Sequence, residues 1–168
     1  TIYTDDAGDL VDLREYSSGL ASSDITSAKT LFGLEAFADS VADEEVSTLV
    51  EWLYGIDTYD EYPARIDKDG NRVDSNGDSA ERKRLIGDPL HSRPAVVVYG
   101  NKILDGKPDP NDAVVYITTN EGLLHAIDSQ TGVEKWAFAP KELLYRLDLL
   151  RDFSTETELK NRTNPYFY

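Results

Sequence analysis

The chain contains no cysteine and no methionine. The first absence excludes disulfides, thiol catalysis, iron–sulfur clusters and Cys-ligated zinc, and leaves the redox compartment open. With no methionine even at position 1, the sequence is expected to be an internal piece of a longer protein. Its start, Thr1-Ile2-Tyr3-Thr4-Asp5-Asp6, has neither a basic nor an apolar leader region, so any signal peptide is expected outside these residues. Basic residues are scarce as well: 17 against 32 acidic, a net charge of −15. A surface that negative repels phosphate backbones and anionic membranes, which argues against nucleic acid as a partner. Long apolar runs are missing too. The longest, Ala95-Val96-Val97-Val98-Tyr99, falls far short of the roughly 20 residues that span a bilayer. What remains is 168 residues with 40 % hydrophobic content, enough for the core of one domain, or of one domain with an appendage.

Charge and periodicity divide the chain. Residues 1–60 hold 14 acidic and 2 basic residues, whereas residues 61–168 hold 18 and 15. The break coincides with a tract, 57–84, rich in Asp, Asn, Gly, Arg and Lys and containing Pro63. Before it, Ser40-Val41-Ala42-Asp43 resembles a capping box that opens a helix with Val46, Leu49, Val50 and Leu53 on one face. Gly55 is placed to stop that helix. A shorter helix containing Leu31, Leu34 and Phe37 is predicted within 23–38, and 1–22 reads as a short strand followed by a loop. After the break the period changes to two. Strands are predicted over 94–99, 114–119, 123–128 and 134–139, separated by turn clusters at 100–112, 120–122 and 129–132. Four antiparallel strands in about 46 residues match the size of one β-propeller blade. Pro140 then starts an amphipathic helix with Leu143, Leu144, Leu147 and Leu150 on one side, and Asn164-Pro165-Tyr166-Phe167-Tyr168 reads as the first strand of a next blade. The fold class is mainly β with accessory helices, an α+β fragment.

The sharpest local chemistry lies in 67–78. Asp67, Asp69 and Asn71 occupy positions 1, 3 and 5 of a loop that could wrap a hard cation, with the Val73 carbonyl at 7, Ser75 at 9 and Asp78 at 12. Asp67, Asp69, Asn71 and Asp78 are therefore the candidate ligands of Ca2+. Arg72 stands where an EF-hand needs glycine, Asp78 is shorter than the usual glutamate, and Pro63 argues against an entering helix. The competing reading is a solvated acidic loop whose Gly and Asn residues make turns. His91 and His125 are the two histidines. His91 and Ser92 are neighbours in an extended segment and point to opposite faces, so a nucleophile–base pair is not expected of them. His125 is expected to hydrogen-bond a neighbouring loop. The Asp43-Glu44-Glu45 carboxylates suit the positive end of a helix dipole. Arg82-Lys83-Arg84 is too short a basic run for nucleic acid. The ten tyrosines suit an adhesive surface or a half-buried one.

Ala126-Ile127-Asp128-Ser129-Gln130-Thr131-Gly132-Val133-Glu134-Lys135-Trp136 resembles the tryptophan-docking motif of quinoprotein-type propellers. In it Asp128 and Thr131 satisfy turn amides, Gly132 takes positive φ, and Trp136 packs between blades. Gly87-Asp88-Pro89-Leu90-His91-Ser92-Arg93-Pro94 before the valine run resembles the propeller opening of PilC/PilY-type proteins, the type IV pilus tip-associated adhesins and biogenesis factors. Val115-Tyr116-Ile117 with Asn120-Glu121-Gly122-Leu123-Leu124-His125-Ala126-Ile127-Asp128, Trp136-Ala137-Phe138-Ala139-Pro140, Asn164-Pro165-Tyr166-Phe167 and the segment Leu49-Val50-Glu51-Trp52-Leu53-Tyr54-Gly55 are similar to further stretches of that family. Where many relatives carry an Arg-Gly-Asp-like turn, this chain has Tyr54-Gly55-Ile56-Asp57, so that contact does not carry over.

The resemblance implies an acidic, partly helical pre-propeller segment (1–60), an acidic loop (61–84), a first blade (85–140), and a helix with the start of the next blade (141–168). It implies a non-enzymatic role in type IV pilus biogenesis, adhesion and twitching motility, with minor pilin components as partners, an unnamed host or surface receptor, and export through the periplasm to the pilus tip or outer membrane. Alternatives are a fragment of a pyrroloquinoline-quinone-dependent dehydrogenase, suggested by the same tryptophan-docking motif, or of a scaffold propeller.

Overall fold

The computed structural model describes residues 1–56, 65–66, 72–73, 86–89, 92–100, 103–109 and 111–148. The described residues divide into two compact units, one built from 1–13 and 87–143, the other from 14–86 and 144–148.

The first unit is a six-stranded sheet. Its strands are β1 (Ile2–Asp6), β2 (Asp9–Asp12), β5 (Ala95–Val98), β8 (Ala113–Thr118), β9 (Leu124–Asp128) and β10 (Glu134–Phe138), in the order β2-β1-β10-β9-β8-β5. β3 (Arg65–Ile66) and β4 (Arg72–Val73) belong to the other unit, and β6 (Ile103–Leu104) and β7 (Lys107–Pro108) form a small separate hairpin. β5, β8, β9 and β10 make an antiparallel meander, and the four strands expected from alternation are those four, within one residue at each end. β1 joins the outer edge of β10 in parallel, pairing Ile2 with Ala137. The expected loop after β1 is instead a hairpin. Ala7 and Gly8 both hold positive φ, 54° and 96°, and return the chain into β2. The tip of the β6–β7 hairpin works the same way, with Asp105 at φ 52° and Gly106 at φ 76°.

One face of the sheet is well buried, through Ile2, Thr4, Ala113, His125 and Ala137. Thr4 completes it by donating its hydroxyl to the Ala139 carbonyl at 2.9 Å. β5 ends the sheet on the side opposite β2, and all four of its side chains are exposed.

The second unit is helical, with α1 (Leu13–Ser23), α2 (Ile25–Phe32) and α3 (Asp39–Leu53). α1 falls where a loop was expected. Asp24 caps α2, accepting from the Ser27 amide at 3.1 Å and the Ser27 hydroxyl at 2.6 Å. Those bonds, the hydroxyl's first, hold its carboxyl below the ordinary value. α3 carries the predicted apolar face: Val46, Leu49, Val50 and Leu53 are all buried, with Ala42 and Trp52. Its start differs from the expected capping box. Ala38 is the N-cap without a side-chain bond, and Asp39, in ion pair with Lys29 at 2.8 Å, occupies the first turn. Its end follows the expectation for Gly55. That residue takes φ 95°, the Gly55 amide donates to Trp52 and the Ile56 amide to Glu51, closing a Schellman motif. The two-residue strands β3 (Arg65–Ile66) and β4 (Arg72–Val73) pair antiparallel in this unit. Where an amphipathic helix was expected, Lys141–Arg146 form a 3-10 helix and 147–148 are α-helical, and Leu150 lies outside the described residues. Leu144 and Leu147, two of the apolar residues expected on its inner side, are buried.

Candidate functional site

The turn between β9 and β10 is organised by one carboxylate. Asp128 Oδ1 accepts the Gln130 amide at 3.1 Å, the Thr131 amide at 3.0 Å and the Thr131 hydroxyl at 3.0 Å. Its Oδ2 lies 3.2 Å from Lys135 Nζ. The Thr131 amide first, then Lys135, hold the Asp128 carboxyl well below the usual carboxylate range. Gly132 closes the turn at φ 71°, donating its amide to the Asp128 carbonyl at 2.9 Å. A side chain there would strain the left-handed backbone.

A β-bulge follows. Glu134 pairs with Ile127 but Trp136 pairs with Ala126, so Lys135 is an extra residue. The bulge decides which side chain faces which way. Glu134 stays on the face of His125 and its carboxylate meets His125 Nδ1 at 2.6 Å. In a regular strand Trp136 would share that face; the inserted residue turns it to the other. There Tyr116, Ala126 and Trp136 form one cross-strand row. Ala126, small and fully buried, lets the flanking rings approach to 5.8 Å at a 53° tilt. The Tyr116 hydroxyl also bonds the Tyr99 hydroxyl, and that bond raises the Tyr116 pKa.

His125 is 1 % exposed, and its Nε2 lies 3.3 Å from the hydroxyl of Thr119 in the β8–β9 turn, the neighbouring loop. Its bond to Glu134 was not foreseen. The hairpin register of 127 opposite 134 was the signal that could have revealed it. Asp88 and Ser92 also come to this end of the sheet. The Asn120 amide donates to the Asp88 carbonyl at 2.9 Å, and Ser92 Oγ accepts the Thr118 amide at 3.1 Å. A Cβ at Gly87 would lie 2.6 Å from the Glu121 side chain, which would have to shift to admit it.

Asp67, Asp69, Asn71 and Asp78 lie outside the described residues, as do His91 and Asn164-Pro165-Tyr166-Phe167. Ile66 and Arg72 are paired strand residues on either side of 67–71. Among the described residues no three acidic or histidine side chains gather as a metal site, and no helix is long and apolar enough to cross a membrane.

The class these observations define is a mixed α+β chain with a six-stranded sheet. Over an 89-residue alignment it is 32 % identical to the type IV pilus biogenesis factor PilY1 of Pseudomonas aeruginosa strain UCBPP-PA14. The alignment covers 44 % of this chain and spans 8 % of that relative's length. No protein-family model matches the chain, and no solved structure matches it.

Proposed function

We propose that the chain is a non-enzymatic part of a type IV pilus biogenesis factor, that β5, β8, β9 and β10 are one blade of a β-propeller, and that it acts at the cell surface or pilus tip with minor pilin components. The observation that carries this reading is the similarity to a protein named as a type IV pilus biogenesis factor. The sheet supports it physically. A blade inside a propeller is covered on both faces by its neighbours, and β5 exposes valines on both, Val96 and Val98 on one side and Val97 on the other. In the same reading Trp136 packs against a neighbouring blade.

Calcium belongs to the proposal through the oxygen spacing of Asp67, Asp69, Asn71 and Asp78. Adhesion belongs to it through the tyrosine content. The test is deletion of the coding segment in its own genome, scored by surface pili and twitching. Loss of both, restored by the intact gene, is the expected result. Normal pili and normal twitching after deletion would refute the assignment.

A further inference from the structure

The chain has two Asp–Pro bonds, Asp88–Pro89 and Asp109–Pro110. The first is clamped beside the β8–β9 turn. The Asn120 amide donates to the Asp88 carbonyl at 2.9 Å, and the Ser92 amide donates to the Pro89 carbonyl at 2.9 Å. Ser92 Oγ accepts the Thr118 amide at 3.1 Å, and the Glu121 side chain packs against Gly87 where a Cβ would otherwise stand. Asp88 and Pro89 are themselves exposed, so solvent reaches this segment. Asn120 holds a second donor as well. It is 6 % exposed, and its side-chain Nδ2 is buried without an acceptor. A buried donor left unpaired costs free energy, which calls for a role.

An aspartate before a proline carries its own nucleophile. The Asp88 carboxyl and the Asp88 carbonyl carbon are joined through Cα and Cβ, so attack closes a five-membered ring with no second residue to bring up. Proline suits the leaving side. Its nitrogen bears no hydrogen, so it departs as a secondary amine and cannot attack the Asp88 carboxyl in the competing direction. We propose that the Asp88–Pro89 bond is a self-cleavage site, with Asn120 as the donor to the carbonyl oxygen. A bond forms from Asp88 Oδ to the Asp88 carbonyl carbon, the bond from that carbon to the Pro89 nitrogen breaks, and the carboxyl proton passes to the nitrogen. Asp88 is left as a cyclic anhydride, which one water opens to a free aspartate end. The net change is the addition of one water, and nothing is oxidised or reduced. The backbone amide of Asn120 holds the oxygen from the start, and its Nδ2 is the donor in reserve as negative charge develops there. The cut pieces stay associated, because Ile2 in β1 of one pairs with Ala137 in β10 of the other.

The test holds the folded 168-residue chain in weakly acidic buffer with protease inhibitors and follows it by intact-mass spectrometry. The expected products are residues 1–88 and 89–168, with masses that add up to the parent plus one water. They should form at a rate independent of chain concentration and co-elute on native size exclusion. Cleavage should be at least about tenfold faster than at the same bond in urea-unfolded chain, since one oxyanion donor is worth about 100-fold or more in enzymes. Asp109–Pro110 is the internal reference. The Asp109 carbonyl accepts the Asp112 amide at 3.0 Å, but its carboxylate already accepts the Asn111 amide at 2.9 Å, so this bond should stay whole over the same interval. Asp88→Ala should abolish the cut, and Asn120→Ala, which keeps the backbone donor, should slow it several-fold; both are checked for an unchanged circular dichroism spectrum. A folded chain that stays whole, cuts no faster than the unfolded one, cuts equally at Asp109–Pro110 or still cuts there after Asp88→Ala overturns the proposal. Asn120→Ala cutting at the parental rate overturns the part given to Nδ2.

Discussion

At the scale of single residues, two side chains organise the end of the sheet, and each gives a measurable expectation. Asp128 holds the β9–β10 turn as an ionised acceptor. Because its folded pKa is depressed, its contribution is present above the ordinary aspartate value of about 4 and is lost as pH falls through the folded value. Asp128→Ala should therefore lower the melting temperature at neutral pH, and the gap between variant and parent should close as the solution is acidified. Asp128→Asn retains an acceptor but no charge, so a smaller loss is expected; a gap independent of pH would show that the carboxylate is not the cause. His125 is the second residue. His125→Leu removes the donor to Glu134 and the partner of Thr119 from a buried position, and should cost about 1–3 kcal/mol by denaturant unfolding. A neutral result would mean that the network is replaced by water without loss.

At the scale of elements, the helical unit rests on the apolar face of α3 and the cap of α2. Leu49 is fully buried, and Leu49→Ala should destabilise by about 2–5 kcal/mol. Gly33 ends α2 at φ 75°, and a Cβ there would collide with the Tyr145 carbonyl. Gly33→Ala should thus cost at least about 1–2 kcal/mol for the left-handed backbone alone. Both are read from urea midpoints, and a loss below these ranges would indicate a looser unit. α3 was legible because Val46, Leu49, Val50 and Leu53 keep helical spacing and Gly55 marks the stop. The meander was legible because alternation and turn residues coincide. α1 was not: Leu13–Ser23 contains four serines and Gly19, which carry weak helical preference, and Arg14 is tied to Glu51 by two bonds of 2.7 Å that no local pattern announces. The β1–β10 pairing was hidden for a similar reason, since Ile2 and Ala137 are joined across most of the chain. The Asp128 turn was legible as a motif, whereas the bulge that separates Glu134 from Trp136 depends on register and was not. The proposed calcium loop gives a test at this scale too. A chelator should lower the melting temperature of the parent but not of Asp67→Ala, and a parent indifferent to chelator would remove the metal from the proposal.

At the scale of the whole molecule, the exposed strand β5 separates a self-sufficient sheet from one wedge of a larger ring. Val96 is 63 % exposed, Val98 48 % and Val97 40 %, so in this chain these side chains contribute little burial. Replacing Val96 and Val98 by threonine should change its stability by no more than about 0.5 kcal/mol, as for other exposed positions. It should also reduce binding of a hydrophobic dye. In a longer polypeptide where blades flank this one, the same valines would be packed between sheets. The double change should then cost well over that amount, because buried apolar area is worth about 25 cal/mol per Å2 and a hydroxyl would enter an apolar contact. The informative quantity is the difference between the two contexts, measured by denaturant unfolding of both polypeptides with and without the substitutions. A larger cost in the longer chain supports the blade reading. Equal costs in both would mean that nothing packs on β5, and a four-stranded meander with an open valine edge would have to be explained without neighbouring blades.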